Sequence, residues 1–246
     1  MNIPSETILG VKISVVNYSN ILEYIEKCFK NQNQIQIATP NPEQVIQAQT
    51  DSTFKKILNQ VDIAIPDGEG VVWAVRKKLK NKKEIERIAG VDLMNILCQL
   101  AAKKNFTVGF FGGKGQTSFL AQKNFQEKYS QLKTVIIPAF ADINNVLSAE
   151  NEKIVKQINQ NKVDFLFVAY GAPFQEIWIR ENLKKMPTVK LAMGVGGAFD
   201  FYSGKIKRAP KFLQKLKLEW FYRLMQEPWR LKRQLRLLEF IYRNLF

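Results

Sequence analysis

Short β-branched runs and longer stretches with helical spacing take turns along this chain. Residues 8–15, ILGVKISV, predict two short strands bending at Gly10, and Ile21, Tyr24, Ile25 and Cys28 give a helix over about 19–29 one apolar face. Gln34 to Ala38 predicts a strand that ends at Pro40 and Pro42, which force an extended exit before a helix from about Glu43. A helical segment at 52–58 is followed by a buried strand at 61–65, and a charged stretch at 77–86 leads into a helix reaching about Lys104. Strands at 106–111, 134–137, 163–170 and 189–195 then alternate with helices beginning near Thr117, near Ser148 and around Trp178.

That alternation predicts an α/β fold, a Rossmann-like and mainly parallel sheet with helices on both faces, over residues 1–203. Residues 204–246 read as a C-terminal helical basic appendage. Ligands of such sheets bind beyond the carboxyl ends of the strands, where Thr39, Asn41, Asp67, Gly112, Gly171, Gln175 and Gly197 are expected to gather. Two of these positions carry a second reading. Asp67, in PDGEG (66–70), is either a site carboxylate or the cap of a helix starting near Glu69. The GGKG turn at 112–115 is either a phosphate cradle at a helix N-terminus or a plain tight turn, matching neither GxGxxG nor a P-loop.

Charge separates the two parts of the chain. The net charge is +15, and residues 204–246 hold 12 Lys and Arg against 3 Asp and Glu, together with Phe212, Trp220, Phe221, Tyr222, Trp229, Phe240, Tyr242 and Phe246. Pro228 is expected to divide this tail into two helices. The first sets Lys211, Lys215, Glu219 and Arg223 along one stripe; the second sets Leu231, Leu235, Leu238, Tyr242 and Leu245 along one face with Lys232, Arg233, Arg236 and Arg243 roughly opposite. A basic amphipathic segment suits an anionic membrane surface, and plain docking onto the core with solvated cations is the alternative. No nucleic-acid-binding motif accompanies the charge, so no nucleic-acid partner is expected.

Absences narrow the chemistry further. With no histidine, Ser-His-Asp hydrolysis, histidine metal sites and imidazole acid/base catalysis are excluded. No Asp-x-Asp metal-diphosphate motif occurs, and Cys28 and Cys98 are too few for a disulfide framework. No run of about 18 apolar residues suggests a membrane span, so a cytoplasmic protein at or off a membrane surface is expected.

The motifs ATPNPE (38–43), PDGEG (66–70), RIAGVDL (87–93), FGG (111–113), GAPFQE (171–176), GVGGAFD (194–200), GKIKRAP (204–210) and EWFYRLMQEPWRLKR (219–233) stand in the order of the WecG/TagA/CpsF glycosyltransferase family, which the chain resembles over nearly its whole length. The resemblance implies an inverting transferase, peripheral on the inner face of the plasma membrane. It would move a sugar from a UDP-sugar to undecaprenyl-diphosphate-linked N-acetylglucosamine, for teichoic acid or exopolysaccharide synthesis. N-acetylmannosamine is the sugar implied by the teichoic-acid branch. It further implies no cofactor and no metal, Asp67 as general base, Thr39 and Gln175 in the substrate pocket, and Arg223, Arg230 and Arg233 completing the site from the tail. Asn41 joins them by its place in the motif, and exposed apolar faces of the tail suggest a homo-oligomer when no membrane is present. Two other classes account for part of the pattern: a nucleotide-dependent oxidoreductase, and a non-catalytic nucleotide-binding module recruited to lipid by the tail.

Overall fold

The computed structural model describes residues 3–31, 33–80, 84–143, 145–216, 218–228 and 231–245, the side chains of 215 and 232–234 excepted. It opens with a hairpin, β1 (Ser5–Ile8) against β2 (Val11–Ser14), turning through Leu9 and Gly10 at positive φ. There follow α1 (Ile21–Lys30), β3 (Ile35–Ala38), α2 (Pro42–Thr50), α3 (Ser52–Gln60), β4 (Ile63–Ala64), α4 (Glu69–Arg76), α5 (Gly90–Lys104), β5 (Thr107–Gly112) and α6 (Thr117–Lys128). Then come β6 (Lys133–Ile137), α7 (Ser148–Gln160), β7 (Phe165–Ala169), α8 (Phe174–Asn182), β8 (Leu191–Gly194) and α9 (Ala198–Tyr202). The tail contributes α10 (Lys211–Lys215), α11 (Glu219–Gln226) and α12 (Leu231–Leu245).

Six strands pair in the order β4-β3-β8-β7-β5-β6, and every pairing is parallel, as the alternation of strands and helices predicts. Side chains along each strand point alternately to the two faces and fill two separate cores. On β7, Phe165 and Phe167 join Val108, Phe110, Leu191 and Met193 beneath α5 and α6, while Leu166 and Val168 join Phe111 and Ala192 beneath α7 and α8. A third core forms beside β4, where Ile8, Val11 and Ile13 of the hairpin meet Val45, Phe54, Leu58, Val71 and Val75. The Ser14 hydroxyl accepts the Ala64 N–H at 3.0 Å, so the hairpin partly caps the short edge strand. β4 is only two residues long, shorter than the 61–65 run suggests, because Ile65 N–H already turns to the Ala38 carbonyl and Pro66 cannot donate to the ladder.

Chain order runs outward on both sides of the sheet, from β3 to β4 at one edge and from β5 to β6 at the other. The last strand, β8, is inserted between β3 and β7. The carboxyl ends of β3, β8 and β7 therefore lie side by side at the point where connections leave in opposite directions, the ordinary place for a ligand crevice.

The tail differs from the expected pair of helices. Its first part is split into α10 and α11, because the Leu218 N–H reaches back to the Leu213 carbonyl at 2.9 Å and closes α10 in a Schellman-type turn. The anticipated four-residue stripe is thereby broken: Lys211 stays exposed while Glu219 and Arg223 turn inward and are partly buried. α12 runs against α2 and α4. Phe240 is fully buried in the core beside β4, whereas Leu231, Leu235, Leu238, Tyr242 and Leu245 are 54 to 66% exposed. Docking and an outward apolar stripe thus occupy different faces of one helix.

A carboxyl is fully buried within this framework. Glu176 of α8 lies under β8 with no exposed surface, and burial pushes its carboxyl up to about 7, against the hydrogen bond that Gln175 Nε2 donates to it at 2.8 Å. The folded state therefore binds a proton that the unfolded chain has already lost. Stability is fully present below the ordinary glutamate range and falls as pH rises toward about 7. Glu176→Gln is expected to abolish that decline, leaving the variant more stable than the parent at pH 8; urea unfolding at pH 5 and pH 8 measures it. Phe240→Ala is expected to cost about 3 kcal/mol or more through the cavity it leaves. Leu238→Ala, on the exposed stripe, is expected to change stability by less than about 0.5 kcal/mol. Hydrogen exchange of the α12 amides reads both.

Candidate active site

Two strand-end loops and the loop between α4 and α5 are stitched together by two backbone bonds and one contact to a side chain. The Asp67 N–H donates to the Pro40 carbonyl at 3.1 Å, the Ile88 N–H to the Pro66 carbonyl at 3.2 Å, and the Gly90 N–H to Asp67 Oδ2 at 3.5 Å. The loops after β3, after β4 and ahead of α5 therefore move as one unit. Asn41 caps α2, its Oδ1 accepting from the Gln44 N–H while the Gln44 side chain accepts from the Asn41 N–H. Asp67, by contrast, does not cap α4: the cap position is Gly68, and no side chain bonds there. That sets aside the capping reading of PDGEG, and the Asp67 carboxylate lines the crevice.

A second unit comes from β7 and β8. Gln175, only 2% exposed, accepts the Gly171 and Gly196 N–H groups on Oε1, each at 3.0 Å, and donates Nε2 to Glu176. Its amide is the clasp between the two strand ends, and its orientation is fixed by those three bonds.

Between the units lies a cavity of about 440 Å³, lined by Thr39, Asn41, Asp67, Gly171, Gln175 and Gly197, with Arg87 and Gly196 beside them. Six of the seven strand-end residues singled out in the sequence converge here. Gly112 is not among the lining residues. It stands at φ +86 at the end of β5, where a Cβ would lie 2.8 Å from the Tyr170 ring, so its glycine serves strand-end packing.

Helix α11 and part of α12 close the cavity with Glu219, Trp220, Arg223 and Leu237. Arg223 lays its guanidinium over the Phe201 ring, 4.7 Å from the centroid, and donates Nε to Glu227 at 3.0 Å. Its Nη2 is buried without a hydrogen-bond partner among the described residues, and a Cβ on Gly197 would come within 2.6 Å of it. An unpaired buried guanidinium N–H beside a glycine-lined opening is ready for an anionic oxygen. Arg230 lies outside the described residues, as does the Arg233 side chain.

Sequence reasoning did not assign a role to Arg87, Glu219 or Trp220. Arg87 donates Nη2 to Glu219 at 3.0 Å, and its Nε stands 3.9 Å from Asp67 Oδ1. Arg208 grips Asp92 with both terminal nitrogens and gives Nε to Glu219 at 2.9 Å. The signal lay in RIAGVDL and GKIKRAP, whose charged residues pair only through the fold. Burial raises the Asp67 carboxyl above the ordinary aspartate range, and Arg87 and the Gly90 N–H oppose that rise. A carboxylate with raised proton affinity is a stronger proton acceptor than an ordinary aspartate. Among the described residues, no three His, Cys, Asp or Glu side chains group as ligands for a metal ion, and no helix is long and apolar enough to cross a membrane.

Comparison with known proteins identifies the family to which the chain belongs. The model of the Glycosyl transferase WecG/TagA/CpsF family matches residues 6–246. An N-acetylglucosaminyldiphosphoundecaprenol N-acetyl-beta-D-mannosaminyltransferase of Bacillus subtilis (strain 168) is 33% identical over 94% of this chain and 87% of its own. A protein of the same description from Staphylococcus aureus (strain MRSA252) is 34% identical over 89% of this chain and 83% of its own. With a family match that runs from the hairpin to the end of the tail, the chain belongs to the WecG/TagA/CpsF family of glycosyltransferases.

Proposed function

We propose that the protein transfers N-acetylmannosamine from a UDP-sugar to undecaprenyl-diphosphate-linked N-acetylglucosamine, with inversion and without a metal ion or other cofactor. The setting is teichoic acid or exopolysaccharide synthesis at the inner face of the plasma membrane. The relatives' acceptor and sugar support the substrate pair. The observation that carries the chemistry is one cavity holding both a carboxylate with raised proton affinity, Asp67, and an unpaired buried guanidinium N–H, Arg223 Nη2.

In this reading the acceptor hydroxyl attacks the donor C1 from the face opposite UDP. The new C1–O bond forms as the bond to the diphosphate oxygen breaks, its electron pair leaves with UDP, and the hydroxyl proton passes to Asp67. Charge building on the departing diphosphate meets Arg223, held in place by Phe201 and Glu227 before the substrate arrives. A preset guanidinium pays no reorganisation during the step. Arg230 and Arg233 supply further donors from the tail. Gln175 keeps the Gly171 and Gly196 turns at the spacing the donor needs, and Thr39 lines the wall beside Gly90.

The outward stripe of α12, with exposed Phe212, Trp220, Phe221 and Met225 of the two shorter helices and Leu216 between them, offers apolar surface next to a strongly basic segment. That pairing supports an interfacial position on an anionic bilayer, with the cavity close to where a lipid-linked acceptor emerges. Without a membrane, the same surface favours self-association.

Turnover of UDP-N-acetylmannosamine with a short-chain lipid-diphosphate N-acetylglucosamine is expected to persist in EDTA and to fall about 100-fold or more in Asp67→Asn. Because Asp67 must be unprotonated, the wild-type rate falls as pH drops through its raised pKa, and that acid limb disappears in the variant. Leu235→Gln/Leu238→Gln is expected to weaken sedimentation with anionic vesicles severalfold while leaving turnover of the short-chain acceptor within about twofold.

A further inference from the structure

Helix α11 is tied to the core through a row of alternating charges. Asp92 of α5 pairs with Arg208, Arg208 with Glu219, Glu219 with Arg87, and Arg87 stands beside Asp67. Along this row the contacts are unequal. Glu219 receives both arginines at hydrogen-bond distance, 2.9 and 3.0 Å, and is only 13% exposed. Asp67 receives Arg87 at 3.9 Å, too far for a hydrogen bond, while the Arg87 Nε that faces it is buried with no partner. Two carboxylates thus compete for one guanidinium, and the one on α11 holds it.

We propose that Glu219 is a positioning residue for the transfer: docked on α11, it keeps Arg87 from pairing fully with Asp67 and so leaves Asp67 available to take the acceptor's proton. This rests on reading Asp67 as the general base. The arrangement makes base strength conditional on the tail, because a helix α11 lifted from the site takes Glu219 with it and leaves Arg87 free to close the remaining gap to Asp67. In that state the carboxylate is a satisfied ion-pair partner and a poor proton acceptor. The device therefore holds the base inactive until the tail is seated.

The charges around Asp67 come from several elements. Arg87 lies ahead of α5, Glu219 and Arg223 are on α11, and Tyr18, ahead of α1, is close enough to feel the Asp67 charge. Glu69 on α4 acts on Arg87, and Asp92 reaches the row through Arg208. Of these, Glu219 raises the Asp67 carboxyl and Arg87 and Arg223 lower it. Neutralising residue 219 removes a raising neighbour and releases a lowering one, so both consequences move Asp67 in the same direction.

The test is the pH dependence of kcat for the full chain as wild type, Glu219→Gln, Asp67→Asn and Glu219→Gln/Arg87→Gln, with the donor and short-chain acceptor named above. Glu219→Gln is expected to move the acid limb to lower pH and to reduce the plateau roughly tenfold, part of the range a general base supplies. Adding Arg87→Gln is expected to return the limb upward, since the competing cation is gone. Carboxyl 13C titration of Asp67 reads the same displacement without turnover and does not depend on Arg87's contacts with substrate. A Glu219→Gln enzyme that is slower but keeps its acid limb and its Asp67 titration would overturn the proposal and leave Glu219 a docking contact only. An acid limb that survives in Asp67→Asn overturns the base reading itself, an outcome distinct from the first because the limb then belongs to another group.

Discussion

The structure depends on one constraint: the carboxylate at the end of β4 must be placed among cations without being neutralised by them. Removing charges from water is costly unless each finds a partner, and a partly buried Asp67 beside a partly buried Arg87 would ordinarily collapse into a close pair. Here Glu219 supplies the second carboxylate, and Arg208 and Asp92 complete the row so that Arg87, Glu219 and Arg208 each meet an opposite charge. Asp67 is left with the weak Gly90 N–H contact and a distant guanidinium. The fold of the tail follows from this requirement, since Glu219 faces the core only because the chain breaks between α10 and α11.

The tail therefore has two attachments with different physics. α11 is held at the site by charges, which are directional and sensitive to what fills the cavity. α12 is held by Phe240 inserted in the core beside β4, with Leu237 reaching the cavity edge from the same helix. Leu231, Leu235, Leu238, Tyr242 and Leu245 remain outside that docking, and their exposure is what supports the proposed bilayer contact. A helix with one apolar residue buried and five exposed gains more by meeting a second apolar phase than by tighter packing on the first.

Much of this was legible before any coordinates. The parallel sheet followed from strand-helix alternation, and six of seven strand-end residues met in one cavity because the carboxyl ends of parallel strands share one edge. Other features were not legible, for identifiable reasons. Gly112 looked like the rest, yet its glycine answers to the Tyr170 ring, a contact between neighbouring strands that periodicity does not encode. The stripe joining Lys211 to Arg223 assumed one unbroken helix, and no proline marks the turn at Leu218; the break rests on a single backbone bond to Leu213. Arg87, Glu219 and Arg208 are separated by up to 132 positions and look like ordinary surface charges until the fold sets them in line.

A site composed in this way is incomplete in either part alone. The strand ends bring Thr39, Asp67, Gln175 and the glycine turns to the cavity, and α11 adds Arg223, the residue proposed above to meet a departing diphosphate. The same helix carries Glu219, which holds Arg87 at 3.0 Å while Asp67 stands 3.9 Å from it, the contrast on which the positioning proposal rests. In the proposed mechanism, one docking event thus delivers the diphosphate's cation and the base's positioning residue together. In the proposed reading, the exposed apolar stripe of α12 seats at a bilayer, so that the docked tail couples the chemistry to the place where a lipid-linked acceptor is found.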